Sequence, residues 1–481
     1  MRRGPGTTRW HERIPPGTLA ALTVLVVLLA TGGRYGLHGD ELYFRMLPLR
    51  WWYEDQPPLT VALTQLMTQF GEAGWVQRVP AALAAAAGAL LAGAFPRVQG
   101  FDRRVQSVAA WAHATTVYPL IMGHVLLTAT LDLLAWQAVV LMVVAADRGR
   151  PQALLPAGIL VGLACWNKLL ILPLAGVLVV SLLLVRRDLL RTRPALLGAL
   201  AAALIGGPQL LAQALHGWPM REVSADLVAS SGDLNRLLVL PLLVVFVGPP
   251  LLLVWLRGLR WSEAGTGLLG LLAPAMAVLV VFTLLGPAQP YYPVGLALCA
   301  LALGWGPARE AGSRIWRRAP AVVAANAVVA ALLVLPLVPL GSPAFSVVAA
   351  VNPTLRDQAS WPAYVDQVQR ARGGDGVGVV TDGYALAGAI AHEGEGRSAP
   401  IPIASGHNAL WELGPPGTPE VLLVGERSTG LSGHFAHCTD AGTLEAASSD
   451  PFGVAGSPML RCRGPIGGWD AVWPAFRHLG G

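Results

Sequence analysis

The feature that most constrains this chain is a series of apolar runs, each about 20 residues long, that recurs through roughly the first 340 positions. A helical run of about that length matches the hydrocarbon thickness of a bilayer. Only 13% of the 481 residues are charged, whereas 54% are hydrophobic. The pattern therefore predicts a polytopic α-helical membrane protein.

The apolar runs predict about eleven transmembrane helices, which lie near 17–33, 76–95, 105–121, 125–146, 153–167, 168–185, 195–213, 237–256, 265–286, 291–307 and 319–340. With this count, every arginine-rich group outside the runs falls on the same side of the membrane. The positive-inside rule makes that side cytoplasmic, so the positive charge requires no nucleic acid. We expect a cytoplasmic N-terminus, a first run retained as an anchor and an extracytoplasmic C-terminal region.

The residue usage also indicates a source. Alanine, glycine and arginine are favoured, and Lys168 is the only lysine. This bias is typical of a GC-rich genome, so we expect the plasma membrane of a bacterium, such as an actinobacterium.

Two outer loops are longer than simple connections. Residues 34–75 form the first loop, and its stretches Asp40–Trp52 and Leu59–Phe70 are predicted to be short amphipathic helices at the membrane interface. Residues 214–236 form the second loop.

The hydropathy falls beyond about residue 341, where Val377–Thr381 and Val421–Gly425 have the apolar pattern of buried strands. The sequence therefore predicts a membrane domain at 1–340 and a small extracytoplasmic α/β domain at 341–481. Cys438 and Cys462 both fall in this second region, where an oxidising environment favours a disulfide between them.

An adjacent acidic pair, Asp40 and Glu41, follows the first apolar run. Carboxylates at the mouth of a membrane helix are costly to hold, which makes both residues catalytic candidates. With the topology above, further polar residues converge on the same outer face, namely Asp55, Asp132, Lys168, Tyr291 and Tyr292. Such a face suits a substrate with a lipid tail and a charged, sugar-like head.

The chemistry of these groups suggests a sugar transfer. Asp40 is placed to take the proton from an acceptor hydroxyl that attacks an anomeric carbon. A lipid phosphate leaves as an anion, which Lys168 and Tyr292 would stabilise. Asp55 and Asp132 have two interpretations. Either they hold a divalent cation (Mg²⁺ or Mn²⁺), with Asp40 as a third ligand, or they position the acceptor and hold cationic partners.

Motifs that support this interpretation occur in order along nearly the whole chain. They are Asp40-Glu41 with Tyr43, Asp55-Gln56-Pro57-Pro58-Leu59, Gly74-Trp75 to Arg78-Val79-Pro80, Thr130-Leu131-Asp132, Gly162 to Lys168, His216-Gly217-Trp218-Pro219, Pro290-Tyr291-Tyr292, Gly383-Tyr384, Ser405-Gly406-His407-Asn408, Gly414-Pro415-Pro416 and Cys462-Arg463-Gly464-Pro465. With them the sequence resembles the GT-C superfamily of polyprenyl-phosphate-sugar-dependent glycosyltransferases. Within it, the sequence is similar to the bacterial group related to protein O-mannosyltransferases and the lipid A aminoarabinose transferase.

The resemblance implies inverting transfer of a sugar from a polyprenyl phosphate to an acceptor hydroxyl on the extracytoplasmic face, with Asp40 as the general base. It also implies that Asp55 and Asp132 lie beside the reacting groups and that Lys168 and Tyr292 contact the donor phosphate. The acceptor is a glycan, a glycolipid or a protein, and the sugar is a hexose or a pentose.

The sequence departs from the family at Gln56 and Gln289, where related chains often carry a cation. An arginine such as Arg78 or Arg221 is expected to replace the missing charge. His216 and Tyr291 complete the candidate substrate-binding set.

Two other classes of protein remain open. A transporter or flippase of a lipid-linked saccharide also needs a polar membrane cavity, although the spans show no two-halved symmetry. An O-antigen ligase-like enzyme would use a lipid diphosphate donor, but it does not depend on an acidic pair after the first span.

Overall fold

The computed structural model of the protein describes residues 14–264, 268–286, 289–394 and 401–480. The arginines before residue 14, and the first residues of the predicted run 265–286, lie outside the described residues. The α-helices of the N-terminal two thirds are Thr18–Thr31, Gly39–Met46, Leu59–Thr68, Gly74–Gln77, Val79–Val98, Arg103–Ala114, Val117–His124, Thr128–Asp147, Leu154–Ala164, Ile171–Val185, Arg187–Leu190, Arg193–Leu215, Met220–Val247, Leu252–Ala264, Leu272–Leu285, Val294–Glu310, Arg314–Arg317 and Ala319–Val334.

Three helices of the described residues are long and apolar enough to cross a membrane, namely Val79–Val98, Thr128–Asp147 and Arg193–Leu215. The pair Met220–Ser230 and Gly232–Val247, bent by 82°, brings the number to four if it is one span. Most other predicted runs coincide with shorter apolar helices. The helical membrane architecture is therefore present, and the count of eleven spans stays a prediction.

The second outer loop was predicted wrongly, because the chain becomes helical again at Met220. Pro219 is the N-cap, with a φ of −58° that already suits a helix, and Glu222 lies in the first turn. Only residues 216–219 separate this helix from the one before it. The predicted loop is therefore mostly helix.

The predicted run 237–256 is also not one helix. It breaks at Gly248, whose φ of +106° favours glycine, and Pro249 and Pro250 follow. A Cβ at Gly248 would lie 1.9 Å from Asn326 Oδ1. The amide of Asn326 also donates to the Thr115 carbonyl, 2.6 Å away, where the predicted run 105–121 is interrupted. One buried asparagine therefore lies against both helix breaks.

Glycines bring the apolar helices into close contact. A Cβ at Gly158 would lie 2.1 Å from the Gly198 carbonyl oxygen, and one at Gly258 would lie 1.9 Å from that of Ala300. Within a bilayer, helices associate through such van der Waals contact between small residues. The frequent glycines of the sequence therefore hold the helices together.

The first outer loop contains the two short helices that the sequence predicts, at Gly39–Met46 and Leu59–Thr68. The first is shorter than the predicted Asp40–Trp52. Its end at Met46 follows from Pro48, which disfavours helical geometry at Leu47.

The C-terminal third contains a five-stranded sheet. Its strands are β1 (Gly378–Thr381), β2 (Ile403–Ser405), β3 (Glu420–Val424), β4 (Phe435–Thr443) and β5 (Pro458–Pro465), in the spatial order β2-β1-β3-β5-β4. The α-helices of this region are Pro343–Val351, Pro353–Arg356, Trp361–Arg372, Tyr384–Gly394, Ser428–Leu431 and Trp469–Val472. β1 is parallel to β2 and β3, whereas β5 is antiparallel to β3 and β4. The two predicted strands are β1 and β3. Cys438 and Cys462 face each other across β4 and β5, and their sulfur atoms are bonded.

Candidate active site

The helix that carries the acidic pair begins at Gly39, with His38 as its N-cap. The His38 ring accepts a hydrogen bond from the Asp40 amide at 3.2 Å, and the His38 amide donates to the Glu41 carboxylate at 2.9 Å. This capping box satisfies two amides that a helix start leaves free, and acidic residues are favourable there. Asp40 is left half-buried, whereas Glu41 is fully buried.

Glu41 is paired with Arg78 inside the protein. Arg78 Nη2 lies 2.6 Å from Glu41 Oε2, and the Leu126 amide donates to the other carboxylate oxygen at 3.0 Å. The remaining Arg78 donors bond the carbonyl oxygens of Gly32 and Gly36. Interaction with Arg78 and these amides lowers the pKa of Glu41, although burial opposes the shift.

Two predictions from the sequence are corrected by this pair. Arg78 is only 2% exposed and its donors are occupied, so it is not available to a donor phosphate. Glu41 is 0% exposed and does not reach a substrate. Both residues hold the Asp40 helix in place instead.

Asp40 receives a hydrogen bond from the C-terminal region. The Tyr384 hydroxyl donates to Asp40 Oδ1 at 2.8 Å. The helix Tyr384–Gly394 lies tightly against the Asp40 helix, because a Cβ at Gly388 would be 2.8 Å from the Leu42 carbonyl carbon. Sequence reasoning noted Tyr384 only as part of a motif and missed this contact, which joins residues 344 positions apart.

Asp55 lies beside Tyr43, which is one turn further along the helix than Asp40. The Tyr43 hydroxyl donates to Asp55 Oδ2 at 2.9 Å and accepts from the Ala409 amide at 3.2 Å. Within the described residues, Asp55 Oδ1 and the side-chain nitrogen of Gln56 are buried without a partner. Burial raises the pKa of Asp55 to about 7. The pair thus presents polar atoms that a ligand can satisfy.

The backbone before Asp55 is held by the end of the helix Arg193–Leu215. Gln209 donates to the Trp51 carbonyl at 2.9 Å, and Gln213 donates to that of Glu54 at 3.4 Å. His216, a predicted substrate-binding residue, is exposed and stacks on Trp52 with the ring centroids 4.2 Å apart. In the structure, His216 therefore packs against the first outer loop through Trp52.

A second polar group surrounds Lys168. Its Nζ donates to the Tyr291 hydroxyl at 3.1 Å and lies over the rings of Tyr291 and Tyr292 at 4.9 and 5.7 Å. Asp132 accepts from the Trp136 indole at 3.2 Å and interacts electrostatically with Lys168. The structure therefore places the Lys168 cation directly against Tyr291 and Tyr292.

The position of Lys168 depends on its neighbour Asn167, which is 2% exposed. Asn167 accepts from the Thr60 hydroxyl at 2.8 Å and donates to the Thr128 carbonyl at 2.7 Å. The Leu59 amide donates to the Trp166 carbonyl at 2.8 Å. These bonds fix the cation against both the first outer loop and the helix that carries Asp132.

The predicted metal ligands do not form a metal site. In the parts of the chain that the structure describes, no group of three or more His, Cys, Asp or Glu side chains is arranged to hold an ion. Asp40, Asp55 and Asp132 instead accept hydrogen bonds from Tyr384, Tyr43 and Trp136 respectively. These three carboxylates are thus each held by a separate aromatic side chain.

Comparison with known proteins matches one part of the sequence to a family model. Residues 55–211 match the family model described as dolichyl-phosphate-mannose-protein mannosyltransferase. No curated protein matches the sequence closely enough to count as a relative.

Solved structures share the fold over most of the chain. ArnT from Cupriavidus metallidurans in the apo state has 15% identity and a TM-score of 0.60, covering 92% of this chain and 97% of ArnT. ArnT from the same organism bound to undecaprenyl phosphate has 15% identity and a TM-score of 0.57 with the same coverage. The arabinofuranosyltransferase AftD from Mycobacteria has 16% identity and a TM-score of 0.51, covering 94% of this chain and 40% of AftD.

The family model matches only part of the chain, whereas the fold that the chain shares with ArnT and AftD extends over most of it.

The Glu41–Arg78 pair predicts a large loss of stability when one partner is removed. Arg78→Met leaves a carboxylate buried without its cation, which costs about 3–5 kcal/mol. Glu72→Gln is the control, because it removes a 65% exposed partner of Arg45 and costs about 0–1 kcal/mol. Thermal unfolding in detergent measures the difference, and equal melting temperatures for the two variants would contradict the assignment.

The raised pKa of Asp55 predicts that stability depends on pH. The folded value of about 7 lies above the usual 3.8, so the folded protein keeps a proton that the unfolded chain loses. The contribution of this residue is therefore favourable below about pH 4 and is lost as the pH rises through about 7. Asp55→Asn keeps an acceptor for Tyr43 without the charge, and we expect its melting temperature to exceed that of the wild type at about pH 8 but not at about pH 4.

Asp375→Asn is the control for this measurement, because Asp375 is 88% exposed. It should show no such gain. A difference between Asp55→Asn and the wild type that does not change with pH would refute the buried, protonated carboxyl.

Proposed function

We propose that the protein transfers a sugar from a polyprenyl phosphate to an acceptor hydroxyl, with inversion at the anomeric carbon and Asp40 as the general base. Two observations carry this proposal. Asp40 is half-buried beside the Tyr384 hydroxyl, and the Lys168 ammonium lies over the rings of Tyr291 and Tyr292. A carboxylate base and a cation are the two charges that such a displacement needs.

The reaction forms one bond and breaks one bond. The acceptor oxygen bonds to the anomeric carbon as its proton passes to Asp40. The bond from that carbon to the phosphate oxygen breaks, and the polyprenyl phosphate leaves with the electron pair. Lys168 and the Tyr292 hydroxyl stabilise the phosphate, so the leaving group needs no separate general acid.

The remaining residues have supporting roles in the proposed reaction. The unpartnered oxygen of Asp55 and the amide of Gln56 are suited to hydroxyls of the donor sugar, because both accept or donate hydrogen bonds without requiring an anion. Asp132 holds Lys168 in position through their opposite charges. Tyr384 fixes the orientation of Asp40.

The identity of the donor is supported by the comparisons. The matched family is described by a lipid-phosphate mannose donor, and ArnT, which shares the fold, has been seen with undecaprenyl phosphate bound. We place the reaction at the extracytoplasmic face of a bacterial plasma membrane, because the arginine-rich groups then lie in the cytoplasm. The acceptor is a hydroxyl of a glycan, a glycolipid or a protein.

Transfer from a panel of radiolabelled polyprenyl-phosphate hexoses and pentoses tests the proposal. We expect turnover with one donor by the purified wild type and a loss of about 10²–10⁴-fold in Asp40→Asn. The exposed Asp102→Asn on the arginine-rich face is the control and should stay active. A carrier would move the lipid-linked sugar without transferring it, and a ligase would not depend on Asp40. Full activity of Asp40→Asn would overturn the assignment of the base.

The Tyr384–Asp40 hydrogen bond predicts a change in rate rather than in donor binding. Tyr384→Phe keeps the ring but removes the hydroxyl that donates to Asp40. A hydrogen bond to a charged group contributes about 1.5–3 kcal/mol. We expect kcat to fall by about 10-fold or more with KM for the donor nearly unchanged.

Tyr364→Phe is the matched control, since the Tyr364 hydroxyl is also buried in the C-terminal region but donates to the Ser449 carbonyl. It should leave kcat nearly unchanged. A Tyr384→Phe variant with the kcat of the wild type would show that the tyrosine is only structural.

A further inference from the structure

A cavity separate from the candidate active site lies at the arginine-rich end of the helix bundle. Its volume is about 460 Å³, and it lies between the helix Leu252–Ala264 and the segment that leads to the helix Ala319–Val334. The side chains that define it are Leu253, Leu256, Arg257, Arg260, Arg314 and Ile315.

The polar part of the cavity is positively charged, as far as the described residues show. Three arginines, Arg257, Arg260 and Arg314, line it, and none of its described lining residues is acidic. Arg257 Nη1 is buried and has no hydrogen-bond partner among the described residues. Burying a charged donor without an acceptor is costly, so this nitrogen indicates a missing anionic ligand.

Membrane topology alone does not account for this geometry. Arginines that only set the orientation of a helix extend their guanidinium groups into water, where they are solvated. Arg260 and Arg314 are exposed and fit that description singly. The buried nitrogen of Arg257 does not, and it lies in a cavity that the other two arginines share.

The rest of the cavity lining is mostly apolar. Leu253 is 66% exposed on the helix that carries Arg257 and Arg260. Leu256 and Ile315 continue the apolar lining. A ligand that fills both halves has an anionic head and a hydrocarbon chain.

We propose that this cavity binds the phosphate of an anionic phospholipid, with the headgroup on Arg257, Arg260 and Arg314 and the acyl chain along Leu253 and Leu256. Guanidinium groups pair with phosphate oxygens through two parallel hydrogen bonds, and basic pockets between membrane helices bind anionic headgroups. A soluble phosphate has the same head chemistry but would leave the apolar half unfilled. The site is independent of sugar transfer, because it shares no residue with the group around Tyr291.

Lipid retention by the full-length protein tests this inference. The wild type, the triple variant Arg257→Gln/Arg260→Gln/Arg314→Gln and the control Arg187→Gln/Arg191→Gln/Arg193→Gln are each reconstituted with phosphatidylglycerol or with phosphatidylcholine. Native mass spectrometry after detergent washing then counts the bound lipids. The control removes the same charge from residues that do not line the cavity.

We expect the wild type and the control to retain one molecule of phosphatidylglycerol, which the triple variant loses. None of the three proteins should retain phosphatidylcholine after washing. The single variant Arg257→Gln, which removes the buried nitrogen, should weaken retention by about 10-fold if the triple variant does not fold. Equal retention of phosphatidylglycerol by the wild type and Arg257→Gln would overturn the proposal. So would a wild type that is stabilised by inorganic phosphate alone and retains no phosphatidylglycerol, which would identify a soluble anion as the ligand.

Discussion

The buried ion pair between Glu41 and Arg78 is the interaction on which the site depends. The arginine begins the second long apolar helix, and the carboxylate lies in the short helix of the first outer loop. Arg78 also donates to the carbonyls of Gly32 and Gly36, which follow the first helix. Glu41 accepts from the Leu126 amide, which lies just before the helix that carries Asp132. Because an unpaired charge is so costly at this depth, these segments are fixed relative to one another.

The ion pair also explains why two adjacent carboxylates have different roles. Successive residues of a helix point about 100° apart, so the Asp40 helix directs Glu41 inward when Asp40 points toward the polar site. Glu41 is charged and fully paired, whereas Asp40 is half-buried and accepts only the Tyr384 hydroxyl among the bonds described. The sequence shows an acidic pair, and only the packing around it separates the supporting carboxylate from the reactive one.

Part of the site was predictable because membrane topology adds long-range information to local pattern. Assigning each apolar run to a direction predicts that Asp40, Asp132, Lys168 and Tyr291 share one face, and of these residues the structure joins Lys168 and Tyr291 by a hydrogen bond. Sequence reasoning failed where tertiary contact decides. The break at Gly248 lies against Asn326, which is 78 residues away in the sequence. Arg78 pairs with Glu41, a carboxylate that the sequence analysis assigned to catalysis. Hydropathy does not record either contact.

The C-terminal region is in direct contact with the candidate site. Both outer-loop carboxylates are connected to this region by hydrogen bonds. Asp40 accepts directly from the Tyr384 hydroxyl. Asp55 accepts from the Tyr43 hydroxyl, which in turn accepts from the Ala409 amide. The contact is close because Gly39 and Gly388 leave no room for a side chain between the two helices. The position of each carboxylate is thus set by two regions of the chain at once. A displacement of the sheet region relative to the helices would therefore move Asp40, the proposed base, together with Asp55 and Gln56, the proposed sugar-binding pair. The geometry of the proposed reacting groups thus depends on the contact between the Asp40 helix and the helix Tyr384–Gly394 as well as on the packing of the membrane helices.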